Sequence, residues 1–236
     1  MNNDLTAIFL TSNKVPDGWA DYQFKTLKEA LGDYPMIIIS RKPMDVGYQN
    51  VLDTEKPSSI NFYRQLLRGA KLATTDYVAC VEDDTLYNKE HFACFRPGLN
   101  VFGYNMNRWS VATWGEPVYS RRESKVGAGG IYPRLELIEA MEEKLATVPK
   151  DAETNWFQWK VGEPGTGGEK ELGIKIRQSK GFYSKIPIIQ FNHDYFTNAE
   201  STPEGIARRR RKNFGIVKAN RIPFWGEAEE LISNFK

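Results

Sequence analysis

The sequence predicts an α/β fold, a Rossmann-like mixed sheet flanked by helices, in a single domain that ends in a basic C-terminal helix or tail. Three observations carry that prediction. Short apolar runs rich in β-branched residues alternate with segments of helical periodicity. Each run ends in small polar or acidic residues. The composition, 41% apolar and 26% charged over 236 residues, is that of an ordinary globular chain.

The first run, Thr6 to Leu10, reads as a buried strand that delivers Thr11, Ser12 and Asn13 to its end. A helix from about Trp19 to Leu31 follows, and Met36 to Ile39 is a second buried strand, ended by Ser40 and Arg41. Ile60, Tyr63, Leu67 and Ala70 recur at helical steps, with Pro57-Ser58-Ser59 as the start signal. Tyr77 to Val81 is a third strand, and it runs directly into Glu82-Asp83-Asp84. Parallel strands joined by right-handed crossovers gather ligands beyond their carboxyl ends, where these polar ends would meet.

The second half is less regular. Val101 to Trp114 holds one or two strands, and Gly127 to Gly130 reads as a flexible loop. Leu135, Ile138, Met141 and Leu145 mark an amphipathic helix, and 162–168 reads as a mobile loop. A last strand, Ile186 to Phe191, presents Asn192 and His193.

Charge and cysteine content exclude several function classes. A net charge of +2 leaves attraction to polyanions to local clusters, above all Arg208, Arg209, Arg210 and Arg211 with Lys212. Cys80 and Cys94, the two cysteines, form neither a disulfide framework nor a zinc-type spacing. The N-terminus lacks a signal-peptide pattern and no apolar window reaches membrane-spanning length, which predicts a cytoplasmic protein.

Three adjacent carboxylates at a strand end repel one another unless a cation or hydrogen-bond donors satisfy them. Mg²⁺ or Mn²⁺ would remove that penalty, taking its remaining ligands from water and substrate phosphates. On spacing alone, a solvated turn with Asp84 or Thr85 capping a helix is an equal alternative. His193, one of two histidines, could close a site opened by Asp84, because imidazole suits Mn²⁺.

The order of these features resembles the GT-A fold, nucleotide-sugar-dependent glycosyltransferases over roughly residues 6 to 198. The resemblance rests on the β-α-β start, the helix with Asn61 and Arg64, Glu82-Asp83-Asp84, the Gly127 to Gly130 loop, the acidic segment from Asp151 to Trp156 and the late His193. The small size, Asn13 and the Arg64 helix also look like glycosyltransferases of bacteriophages. Glu82-Asp83-Asp84 would then match the family's DxD-type motif, with Asp84 and His193 holding Mn²⁺ or Mg²⁺ and Glu82 and Asp83 facing the donor. Thr11, Ser12 and Asn13 match the loop beneath the nucleobase, and Arg64 matches a helix residue that helps fix the donor. Ser40 and Arg41 stand where many members place an acid for the base, which leaves the nucleotide open, with a UDP-sugar preferred.

The resemblance further implies an inverting transfer in which Glu153, or Asp151, deprotonates the acceptor hydroxyl. Gly129, Gly130 and Trp156 would face the acceptor. It divides the chain into a transferase domain, 1–198, with a donor half of about 1–100 and an acceptor half of about 101–198, and a basic extension, 199–236. Arg208 to Arg211, joined to the phage-like resemblance, makes hydroxymethylated bases of DNA the preferred acceptor, in a host cytoplasm if the chain is phage-encoded. The alternatives are a surface polysaccharide or lipid-linked glycan as acceptor, or a non-catalytic nucleic-acid-binding module.

Overall fold

The computed structural model describes residues 4–149, 163–193 and 217–235. The expected order of elements opens it: β1 (Leu5–Thr11), α1 (Asp17–Leu31), β2 (Met36–Ser40), β3 (Gln49–Leu52), α2 (Ser59–Leu72) and β4 (Tyr77–Glu82). β5 (Thr85–Leu86), α3 (Lys89–Ala93), β6 (Val101–Asn105), β7 (Arg108–Ala112) and β8 (Tyr119–Arg122) follow. A 3₁₀ turn, Gly127–Gly129, leads into β9 (Gly130–Pro133) and α4 (Arg134–Ala146). Next come α5 (Glu169–Leu172), β10 (Gln178–Phe182) and β11 (Ile188–Asn192). The C-terminal part holds β12 (Lys218–Ala219), β13 (Arg221–Ile222), β14 (Gly226–Glu227) and α6 (Ala228–Ser233).

The fold is α/β, with mixed sheets flanked by helices. Seven strands form the larger sheet in the order β3-β2-β1-β4-β9-β6-β10. β9 runs antiparallel to both neighbours, and the other pairings are parallel. Both faces are covered, which explains why β1, β2 and β4 read as unbroken apolar runs. Ile8, Leu10, Ile37, Ile39, Val78 and Cys80 pack on one side with Leu66 and Met141 from α2 and α4. Ala7, Phe9, Met36, Ile38, Ala79 and Val81 pack on the other with Leu27 of α1 and Phe92 of α3.

α2 begins where Ser58 accepts a hydrogen bond from the Asn61 backbone N–H at 3.0 Å. A Cβ on Gly69 would collide with the Ile8 side chain, so glycine inside this helix is what lets α2 lie directly on β1.

The second sheet, β12-β8-β7-β11-β5, is built differently. Leu86, Val111, Tyr119, Ile189 and Phe191 fill one face, against Trp19, Trp225, Leu231, Ile232 and Phe235. The described part of the basic C-terminal stretch therefore completes a core. The opposite face is polar, and it adjoins the acidic run.

Three local expectations change. Thr85 and Leu86 are strand, and the following helix is capped by Asn88, whose Oδ1 accepts from Glu90 and His91 N–H; the helix-capping alternative for Asp84 and Thr85 is thereby removed. Gly127 to Gly130 is a buried turn rather than a flexible loop, because Gly129 packs on the Asn105 backbone and Gly130 on Tyr132. The buried face of α4 is Leu137, Ala140, Met141 and Lys144, while Leu135 is 69% exposed. Met141, Ile138 and Leu145 pack on the core as expected, and only Leu135 points away.

Candidate functional site

β1 and β4 are adjacent and parallel, so Thr11 and Glu82-Asp83-Asp84 arrive at the same edge of the sheet. Thr11 Oγ1 donates to Asp83 Oδ2 at 2.5 Å, and the Asn13 N–H donates to Thr11 Oγ1 at 2.9 Å. Asn13 adopts a positive φ of 51°, a conformation that asparagine tolerates. Its Oδ1 then accepts from the backbone N–H groups of Arg41 and Lys42 at 2.8 and 2.9 Å, which ties the end of β1 to the end of β2.

The acidic run is anchored from behind. Trp19 Nε1 donates to the Asp83 carbonyl at 2.8 Å, and Gln23 Nε2 donates to the Thr85 carbonyl at 3.1 Å. The short β5 pairs with β11, and the Phe191 N–H donates to the Asp84 carbonyl at 2.7 Å. This pairing brings together residues more than a hundred positions apart: His193 Nε2 lies 3.9 Å from Asp84 Oδ2, with both side chains nearly buried. Thr85 Oγ1 donates to Asp84 Oδ1 at 2.8 Å.

Burial pushes Glu82 well above the usual carboxylate range, and the neighbouring Asp84, Glu163 and Asp83 carboxylates push the same way, opposed by Arg108. Burial also raises Asp83 to about 7, against the lowering effect of the Thr11 hydrogen bond. The site is thus short of positive charge. A gap of 3.9 Å between Asp84 and His193 is too long for a hydrogen bond. A carboxylate and an imidazole are donors of the kinds that Mn²⁺ accepts, so the pair would suit a shared ion. Among the described residues no group of three or more His, Cys, Asp or Glu side chains could hold an ion, so water and substrate oxygens would have to complete its shell.

Beside the trio opens a cleft of about 710 Å³, mouth included. Thr11, Ser12, Lys14 and Arg41 line one wall, Ser58, Asn61, Phe62 and Gln65 another, and Glu82, Asp83, Asp84 and His193 the floor. Ser40 is buried next to Arg41 and donates to the Lys42 carbonyl at 2.7 Å. Arg64 is not on this cleft; it pairs with Glu55 at 2.6 Å, both side chains substantially exposed. Gly129 and Gly130 are buried against Asn105 and Tyr132 and do not line this cleft. Asp151, Glu153, Trp156 and Arg208 to Arg211 lie outside the described residues.

Sequence reasoning missed several buried polar residues. Asp53, at the end of β3, is fully buried and accepts from Asn61 and Gln65 at 2.7 Å each, with Arg41 at 3.4 Å and Arg68 at 3.6 Å. It places a buried acid behind Arg41. Glu163 is buried beneath Gly127 and Tyr63, near Lys144, which sits over the Tyr63 ring at 4.7 Å. Burial lowers Lys144 to about 8. Arg108 is 5% exposed, and its alternation with Trp109, Ser110 and Val111 was the available signal. His91, which follows Lys89 and Glu90 in the sequence, is fully buried and pushed down to about 3 by desolvation, so it is a neutral core residue.

No protein-family model matches the sequence, and no curated protein is significantly similar to it. Among solved structures, a mannosyltransferase from Pyrobaculum calidifontis in complex with GDP-Man and Mn²⁺ is 14% identical with a TM-score of 0.48, covering 89% of this chain and 61% of its own. A nucleotidyl transferase from Methanothermobacter thermautotrophicus is 13% identical with a TM-score of 0.44, covering 79% and 89%. The bifunctional IspDF of Campylobacter jejuni is 10% identical with a TM-score of 0.45, covering 77% of this chain, which spans half of that enzyme's length. At these values the likeness assigns neither residue nor ligand to the present chain. No described helix is long and apolar enough to cross a membrane.

Proposed function

We propose that the protein is a divalent-metal-dependent glycosyltransferase of the GT-A type, moving a sugar from a nucleotide-sugar donor to an acceptor hydroxyl. The observation that carries this reading is the meeting of Asp84 and His193 at the edge of a parallel sheet, on the floor of a cleft with a polar wall. Asp84 and His193 would hold Mn²⁺ or Mg²⁺. When bound, that ion supplies Lewis acidity to the diphosphate that leaves.

The chain's own residues supply the rest. Thr11 fixes one rotamer of Asp83, and Asn13 holds the β1 and β2 ends together, so the wall that receives a nucleotide is preorganised. Arg41, Lys14 and Asn61 offer donors to a base, ribose or phosphate, and Phe62 offers an apolar surface. Glu153, with Asp151 as its alternative, is the proposed base for the acceptor hydroxyl in an inverting transfer. For the acceptor, the Arg208 to Arg211 run supports hydroxymethylated bases of DNA, and a glycan is the competing case.

Turnover of UDP-, GDP- and CMP-sugars with and without Mn²⁺, using hydroxymethylated DNA and glycan primers, tests this reading. Metal-dependent transfer that Glu153→Gln stops, without loss of donor binding, is the expected result. Nucleic-acid binding that needs no metal, with every donor left intact, would instead establish the non-catalytic alternative.

A further inference from the structure

Across the second sheet, registered neighbours place Arg108 and Ser110 of β7, Ser120 and Arg122 of β8, Gln190 of β11 and Thr85 of β5 on one face. Most of this face is buried: Thr85 is 0% exposed, Ser110 and Ser120 2%, and Arg108 5%. A buried polar face costs stability unless its groups are partnered. Here the hydroxyls and amide are satisfied locally, and the guanidinium of Arg108 is not fully so. Nη1 donates to Gln190 Oε1 and Nη2 to Ser124 Oγ, each at 2.7 Å, while the buried Nε has no hydrogen-bond partner. Among the described residues no carboxylate lies within ion-pair distance of it, and Arg122 is its cross-strand neighbour. Burial and that second guanidinium lower Arg108 to about 10, opposed by the Glu82 and Asp84 carboxylates, which lie beyond ion-pair distance. A nearly buried arginine whose hydrogen bonds go to neutral acceptors, and whose Nε makes none, keeps a donor open to an oxyanion.

The location says which molecule carries that anion. Ser124, which orients Arg108, stands three residues before Gly127, and Gly127 lies against Glu82 Oε1. Arg108 does not line the cleft that holds Arg41 and Asn61, so the acidic run separates it from the donor side. We propose that Arg108 binds a phosphate or carboxylate carried by the acceptor, next to the hydroxyl that receives the sugar, with the partly exposed Arg122 marking the entry. This rests on the transferase reading. Of the two acceptors it rests on the competing one, the glycan, because the depth of the guanidinium suits a compact anionic group and the backbone of a DNA duplex needs an exposed basic surface.

The test uses the full chain with Mn²⁺ and its donor, and three matched acceptors: a neutral glycan, the same glycan bearing a phosphate monoester, and the same glycan bearing a uronate. The wild type is expected to show a KM at least about tenfold lower for one or both anionic acceptors, a difference of about 1.4 kcal/mol. Arg108→Gln brings the ratio of KM values close to one, and Arg108→Lys keeps part of the preference. The ratio is internal to each variant, so a general loss of activity does not alter its meaning. Equal KM values in the wild type, or a ratio unchanged by Arg108→Gln, would overturn the proposal, as would duplex DNA used as acceptor with a KM independent of Arg108. Calorimetric titration of the metal-free protein with inorganic phosphate separates the two readings. Phosphate binding that Arg108→Gln weakens, in a protein that turns over no nucleotide sugar, keeps the anion site and rejects the transferase. Metal-dependent transfer in a protein that shows neither phosphate binding nor an acceptor preference rejects the anion site alone.

Discussion

The two sheets use their faces in opposite ways. The central strands of the seven-stranded sheet pack apolar side chains on both faces. The five-stranded sheet is apolar on one face and carries arginine, serine, threonine and amide groups on the other. A one-residue slip exchanges the two faces of a strand, so a sheet with one apolar and one polar face has its register pinned, and its polar face is a place where chemistry can sit. The acidic run lies at the junction, its strand in the first sheet and its pairing partner in the second.

The contrast breaks most clearly at that junction. Asp84→Ala is expected to lower metal-dependent turnover about a thousandfold or more, equivalent to about 4 kcal/mol of transition-state stabilisation, while the fold survives. Thermal unfolding and turnover measured on the same sample check this, and full activity in Asp84→Ala would remove the proposed ligand. In the seven-stranded region the reverse is expected. Leu66, fully buried between α2 and the sheet, should cost about 3 kcal/mol of stability when cut to alanine. Urea unfolding measures that loss. A cost near zero would mean that α2 is not packed as described.

These two regions were also unequally legible. β1, β2 and β4 could be read because burial on both faces leaves an unbroken apolar run, and α2 because its stripe and its Ser58 cap are local signals. Asp84 and His193 could be singled out as candidates, although their 3.9 Å approach comes from the β5–β11 pairing, which no local signal encodes. Asp53, Glu163 and Lys144 were illegible for the same reason. Each looks like a surface charge in sequence, and each is buried by partners from distant segments. The polar face of β7 and β8 was not read in the sequence, because Arg108 and Arg122 become neighbours only through strand pairing.

A third prediction concerns pH, and it sharpens the same boundary. Asp83 is raised from 3.8 to about 7 by burial, so the folded protein holds a proton that the unfolded chain has released. Stability from this group is fully present below about pH 4 and is lost as pH rises through about 7, at no more than about 1.4 kcal/mol per pH unit. The raised Glu82 acts in the same direction. Metal-free protein should therefore unfold more readily at neutral than at mildly acid pH, and Mn²⁺ should flatten or reverse that slope while releasing protons on binding. Calorimetry in two buffers of different ionisation enthalpy reads the proton count. Asp83→Asn should make the metal-free slope shallower, and a slope that is unchanged in this variant would show that Asp83 is ionised in the folded state.

The smallest effect lies where the two regions touch the cleft together. Ser58 caps α2 through the Asn61 N–H and also lines the cleft. Ser58→Ala removes one acceptor from the first turn and should cost about 1 kcal/mol, a fall of roughly 2–4 °C in Tm for a chain of this size. Asn61 in that turn donates to Asp53, and Phe62 forms part of the wall, so fraying would loosen the cleft before it loosens the sheet. Ser58→Asp, which keeps a capping oxygen, should restore the Tm. If Ser58→Ala lowered Tm and left nucleotide affinity intact, the wall would be held by Asp53 and Arg41 without help from the cap. If affinity fell with Tm and returned with aspartate, the helix that packs the scaffold would also be the one that sets the cleft.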